Sequence, residues 1–158
     1  MKIKEFNTQK NMTSLHYTFE REIKGRKTLK NVTDAVQNSF MEREVDHINI
    51  DGNIITGKDS LVKLDFSNRS PLVISPGKEY FIYNEATRIL TYKIESFYPV
   101  LFNLIYAVIL FLILHFLVGH LIIETVIPIL FFILITFVSY FQYQSVIDKV
   151  SRTLNERP

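Results

Sequence analysis

A cluster of basic side chains in the first third of the chain has the composition of an anion-binding site. The cluster straddles Gly25 and leads into a helix that we predict to begin near Thr28. Because free N–H groups at a helix start and nearby cations both attract anions, a nucleotide, a phosphorylated messenger or an anionic lipid headgroup is a candidate ligand. The alternative is a solvated loop at a helix entry. The members of the cluster are Arg21, Lys24, Arg26, Lys27 and Lys30.

The four histidines, in contrast, do not form a catalytic or metal-binding pattern. No two of them have the four-residue spacing of one helix face, and the zinc-protease pattern HExxH is absent. Asp46 and His47 are adjacent in a predicted strand, where neighbouring side chains point to opposite faces. The chain has no cysteine, which excludes a catalytic thiolate and a cysteine-based zinc site. We therefore predict no catalytic residue, no metal site, no cofactor and no enzymatic activity.

The elements that position these residues fall into two chemically different halves. All 18 lysine and arginine residues lie outside the window from Ile94 to Asp148. A membrane-spanning helix needs about 20 mostly apolar residues, and the apolar part of this window is roughly twice that long. We predict two spans, at about 98–117 and 122–142, within a transmembrane hairpin at 97–143.

Two other interpretations of the apolar block stay open. The first is a pair of buried helices in a soluble core, although such helices usually carry a polar stripe and these segments are apolar all round. The second is a hairpin that enters and leaves through the same leaflet, which suits the short turn.

A polar interruption marks the turn between the two predicted spans. Gly119 can adopt the left-handed conformation that ends a helix, and His120 can reach headgroups or water. Glu124 falls in the first turn of the second helix, where exposed N–H groups favour a carboxylate. We predict that these three residues form a tight turn at the far membrane surface.

Four further polar side chains lie inside the predicted spans. Polar groups in a bilayer usually face another helix, so we expect these side chains to hold helices or protomers together. A role in conduction or proton relay is the alternative. The four residues are Asn103 and His115 in the first span, and Thr136 and Ser139 in the second.

Basic residues near the ends of the hairpin predict its orientation. Arg88 and Lys93 precede the first span, Lys149 and Arg152 follow the second, and the turn contains neither lysine nor arginine. Because lysine and arginine accumulate on the cytoplasmic side, we predict a multi-pass protein of the cell (inner) membrane with both termini in the cytoplasm. The N-terminal residues lack the apolar core of a cleavable signal peptide, so we expect the hairpin to direct insertion.

Residues 14–96 have the pattern of a small α+β domain, in which one helix packs on a mostly antiparallel sheet. The helix begins after Thr28 and has apolar residues spaced by three and four. Asp51-Gly52 between two β-like runs indicates a hairpin. With strands also predicted at 61–66 and 71–75, the expected order is one strand, one helix and six further strands.

The two ends of the chain complete the predicted organisation. We expect residues 1–13 to be a flexible segment. Residues 144–158 carry a weak helical apolar stripe and are predicted to be a cytoplasmic amphipathic tail, which lies along lipid headgroups or docks on the domain.

Two functional hypotheses follow from this organisation. The first is a non-enzymatic integral membrane protein that acts as an oligomeric or accessory subunit of a membrane assembly. The alternative is a defence- or toxin-like membrane effector, in which a signal sensed by the domain clusters the hairpins and permeabilises the bilayer. The expected partners are the lipid bilayer, a second copy or another membrane protein, and the anionic ligand or headgroup; nucleic acid is not expected.

Overall fold

The computed structural model describes residues 15–60 and 77–156, which contain five strands and three helices. In chain order these are β1 (His16–Glu22), α1 (Leu29–Glu42), β2 (His47–Asp51), β3 (Ile54–Lys58), β4 (Lys78–Asn84), β5 (Ile89–Glu95), α2 (Phe97–Val118) and α3 (Leu121–Glu156). The predicted α+β class with a C-terminal two-helix hairpin is confirmed. The strands predicted at 61–66 and 71–75 lie outside the described residues.

The five strands form one antiparallel sheet in the order β1-β5-β4-β3-β2. Alternate residues of β4 and β5 are buried, as expected for a sheet that is covered on one face only. Helices α1 and α3 cover that face and share a single apolar core with it. The buried strand residues on this face include Phe19, Ile55, Phe81, Tyr83, Leu90, Tyr92 and Ile94.

Helix α1 forms where the sequence predicts it, because its start is capped and its apolar residues share one face. The Thr28 hydroxyl accepts a hydrogen bond from the Asn31 amide at 3.3 Å. The ring of Phe40, near the end of the helix, packs directly over Gly57 on β3. A Cβ atom at Gly57 would lie 2.9 Å from the Phe40 ring, so only glycine leaves room for this packing.

Helices α2 and α3 are joined by Gly119 and His120, and they pack against each other. Gly119 has φ 62° and ψ 26°, the left-handed conformation that terminates α2. In each helix only 11% of the most apolar 18-residue window is buried, which differs from the core helix of a soluble protein. Both helices are long and apolar enough to cross a membrane.

Helix α3 belongs to both halves of the molecule. It has 36 residues and is therefore about 54 Å long. Its first half packs on α2, whereas Ile147, Val150 and Leu154 in its second half are buried in the domain core. The C-terminal apolar stripe thus docks on the domain.

Strand β1 runs beside α3 in the same direction, which defines two ends of the domain. At the hairpin end, Tyr17 contacts Tyr140, and Ser96 joins β5 directly to α2. At the remote end, the Lys24 amide donates a hydrogen bond to Asn155 Oδ1 at 2.8 Å. The sheet therefore extends away from the apolar hairpin.

Candidate functional site

Polar side chains connect α2 and α3 at two levels of the hairpin. Near the domain, the buried Asn103 amide donates a long hydrogen bond, 3.4 Å, to the Thr136 hydroxyl. Ser139 does not reach α2; its hydroxyl donates to the Ile135 carbonyl within α3 at 2.9 Å. Of the two polar candidates in α3, only Thr136 therefore links the helices.

The second connection lies close to the turn. His115 Nδ1 is 2.8 Å from Glu124 Oε2, and the Glu124 side chain is 3% exposed. The pair forms because Gly119 and His120 reverse the chain midway between the two residues. Glu124 therefore has a side-chain partner in addition to its favourable position at the helix start. His120 remains in the connection and is exposed.

Aromatic packing joins the hairpin to the domain. The Tyr140 ring is 5.5 Å from Tyr17, edge-on, and 5.1 Å from Phe19, while Tyr143 lies 6.1 Å from Tyr17. Burial, with a smaller contribution from Tyr140, raises the pKa of Tyr17 above its ordinary value. These contacts hold the part of α3 that follows the hairpin against β1.

A buried ionic cluster, Arg43–Glu79–Tyr92, lies in the domain at the edge of the core nearest the hairpin. Arg43 Nη1 donates to both carboxylate oxygens of Glu79, at 3.0 and 2.9 Å, and the Tyr92 hydroxyl donates to the same carboxylate. Glu79 is only 2% exposed. Burial first, and then Glu79, raise the pKa of Tyr92 well above its ordinary value. The cluster joins the end of α1 to β4 and β5.

Sequence reasoning missed this cluster, although one signal was present. Glu79 shares the strand phase of Phe81 and Tyr83, so it must point into the core when they do. A carboxylate at a core-facing position requires a cation or a donor nearby. Its partner, Arg43, is 36 residues away, and no local pattern connects the two.

The five residues of the basic cluster do not converge on one point. Arg21 Nε pairs with Asp148 on α3 at 2.6 Å, and Lys30 is exposed on α1. Lys24 meets α3 through its backbone amide. Of the five residues, only Arg26 and Lys27 line a cleft beside the loop between β1 and α1.

The start of α1 is already occupied by a carboxylate. Glu85, in the turn between β4 and β5, accepts a hydrogen bond from the Leu29 amide at 2.8 Å. Together with the Thr28 cap, which accepts from the Asn31 amide, this contact satisfies two of the N–H groups at the helix start. Glu85 therefore already places a negative charge at the helix start, and the anion site that the sequence places there stays a prediction.

The cleft at the remote end has a volume of about 630 Å³. Its walls are the loop carrying Arg26 and Lys27 and the turn carrying Glu85 and Arg88, with Tyr83 between them. The Tyr83 hydroxyl donates to the Lys27 carbonyl at 3.4 Å. Burial, followed by Glu85, raises the pKa of Tyr83, and Arg88 lowers it by a smaller amount.

Comparison of the chain with protein-family models, curated proteins and solved structures finds no match. Within residues 15–60 and 77–156, no group of three or more histidine, aspartate or glutamate side chains is placed to hold a metal ion. The arrangements found are an apolar hairpin with polar helix contacts, a buried ionic cluster and a basic cleft.

Proposed function

We propose that this protein is a non-enzymatic, two-pass protein of the cell (inner) membrane whose α+β domain faces the cytoplasm. In this proposal it acts as an oligomeric or accessory subunit of a membrane assembly. The continuity of α3 carries the proposal, because one helix contributes both to the apolar hairpin and to the core of the domain. A flexible tether would be sufficient if the hairpin served only as an anchor.

Both connections between the domain and the hairpin leave little slack, because one is a single residue and the other is a continuous helix. Ser96 alone separates β5 from α2, and its amide donates to the Leu15 carbonyl at 2.8 Å. Arg21–Asp148 and the aromatic contacts of Tyr140 hold α3 against β1. A change in the position of the domain would therefore reorient the hairpin. This coupling supports a role in which a conformational change of the domain is passed on to the membrane-spanning helices.

The exposure of His115 supports association with another membrane helix. Its side chain is 57% exposed although it lies within the apolar span. A polar ring facing hydrocarbon is unfavourable, and such residues usually face another helix or a water-filled cavity. A second copy of the chain or a different membrane protein would cover this surface.

Cysteine labelling tests the orientation, because the chain contains no cysteine of its own. We expect His120→Cys to react with a membrane-impermeant maleimide added to intact spheroplasts. Lys30→Cys, on the exposed surface of α1, should react only after the membrane is opened. Labelling of Lys30→Cys in intact spheroplasts, or of neither variant before lysis, would contradict the proposed topology.

Mass measurement tests the subunit role. The protein is purified in mild detergent, and the mass of the protein part of the complex is determined together with the identity of co-purifying proteins. We expect a homo-oligomer or a defined complex with another membrane protein. A solitary monomer would refute the subunit role, and permeabilised, growth-arrested cells after induced expression would favour a membrane effector instead.

A further inference from the structure

We propose that the cleft at the remote end binds a soluble ligand that carries a pyrophosphate group, such as a nucleoside diphosphate or triphosphate. The inference rests on the proposed function only in placing the domain in the cytoplasm. The cleft volume of about 630 Å³ lies in the range of about 300–1,000 Å³ typical of small-molecule sites. Through this cleft the proposed subunit would sense a soluble ligand.

Charge is the first reason for an anionic ligand. Arg26 and Lys27 come from one wall of the cleft and Arg88 from the other. The single carboxylate in the lining, Glu85, is engaged by the Leu29 amide. Arg26 and Arg88 alone therefore outnumber the single carboxylate of the lining, so the cleft favours an anion.

Arg26 and Arg88 differ from Arg21 and Arg43 in their partners. Arg21 and Arg43 each pair with a carboxylate, on Asp148 and Glu79 respectively. Among the described residues, neither Arg26 nor Arg88 has a carboxylate within 4.0 Å. Two arginines that line one cleft, one on the loop and one on the turn, suit a ligand with two neighbouring phosphates, because each guanidinium group can donate two parallel hydrogen bonds to phosphate oxygens.

The position of the cleft favours a soluble ligand over a lipid headgroup. Along α3, the junction at Tyr140 and the remote end at Asn155 are separated by fifteen residues, or about 22 Å of helix. A headgroup at the base of the hairpin would be too far from Arg26 and Arg88. Free phosphate compounds have no such restriction.

The cleft is also connected to α3. The segment before Arg26 is held by Asn155, which accepts from the Lys24 amide, and by Arg88, whose carbonyl accepts from the Ile23 amide at 2.9 Å. A ligand that bridges Arg26 and Arg88 would fasten the loop to the turn beside the end of α3. Occupancy of the cleft would thus be communicated to the helix that enters the hairpin.

The test measures binding of inorganic pyrophosphate and ATP to the full chain in nanodiscs of neutral phosphatidylcholine, by isothermal titration calorimetry. Both probes should bind the wild-type chain. Because charge-assisted hydrogen bonds are lost, Arg26→Gln/Arg88→Gln should weaken binding at least about tenfold. The matched control, Lys24→Gln/Lys30→Gln, removes the same charge from residues outside the cleft and should leave the affinity unchanged.

Several results would overturn the proposal. Failure of both probes to bind the wild-type chain would overturn it. Equal losses of affinity in the two double variants would also overturn it, because they would indicate diffuse electrostatic attraction. Competition by anionic phosphatidylglycerol in the nanodisc would identify a headgroup as the ligand. Thermal unfolding of each variant verifies that the fold is retained, and cysteine labelling tests the membrane topology independently of this binding experiment.

Discussion

At the scale of single residues, the Arg43–Glu79–Tyr92 cluster makes the sharpest prediction about stability. Glu79→Gln leaves the Arg43 guanidinium without its carboxylate in a largely buried site. We expect the free energy of unfolding to fall by about 2–4 kcal/mol, since one partner of a buried pair is removed and the Arg43 side chain keeps some solvent access, 28%. Chemical denaturation in detergent, followed by circular dichroism, measures this loss.

Glu20→Gln is the control for that substitution. Glu20 lies on β1 and is exposed, so the same chemical change should leave stability within about 0.5 kcal/mol of the wild-type value. If the Glu79 and Glu20 variants unfold at the same denaturant concentration, the buried cluster does not stabilise the domain.

Residue type and spacing predict the local contacts much better than the distant ones. Thr28 and Gly119 act where the sequence places them, because a cap and a left-handed turn depend on a few neighbouring residues. The sequence predicts that Arg21 belongs to an anion site, whereas in the structure it pairs with Asp148, 127 positions away. This pairing results from the packing of α3 on β1. No pattern in the sequence around Arg21 indicates it.

At the scale of elements, α3 shows how far an apolar pattern can be interpreted. The stripe containing Ile147, Val150 and Leu154 predicts an amphipathic helix and is compatible with either lipid or protein on its apolar side. In the structure this stripe packs on the domain and joins the apolar core formed by the sheet and α1. The sequence therefore predicts the helix, whereas the surface on which the helix packs is determined by the tertiary fold.

Substitution of a core residue on α3 tests this docking. Ile147 is fully buried, and Ile147→Ala should lower the free energy of unfolding by about 2–4 kcal/mol through lost apolar contact and a residual cavity. Arg152→Ala, on the exposed side of the same helix, should change it by less than about 0.5 kcal/mol. Thermal or chemical unfolding in detergent provides the comparison, and similar losses in both variants would mean that α3 does not dock through this face.

At the scale of the whole molecule, the domain and the hairpin are not separable at residue 96. The core that includes Val32, Val36 and Phe40 from α1 also includes Ile147, Val150 and Leu154 from α3. Membrane insertion of α2 and α3 would therefore bring the last element of the core into place. Folding of the domain is expected to be completed only after the C-terminal part of α3 has docked on the sheet.

Two truncated chains test this dependence. A chain of residues 1–96 lacks α3, so its exposed core face should cause aggregation or a poorly ordered state. In a second chain, a flexible linker of about six residues replaces residues 97–142, because packed helices lie only about 8–10 Å apart. We expect this linked chain to be soluble, with dispersed amide signals in NMR spectra and a cooperative thermal transition. Linked chains carrying Ile147→Asp should lose both properties, whereas an equally well-folded chain of residues 1–96 would show that the domain does not need α3.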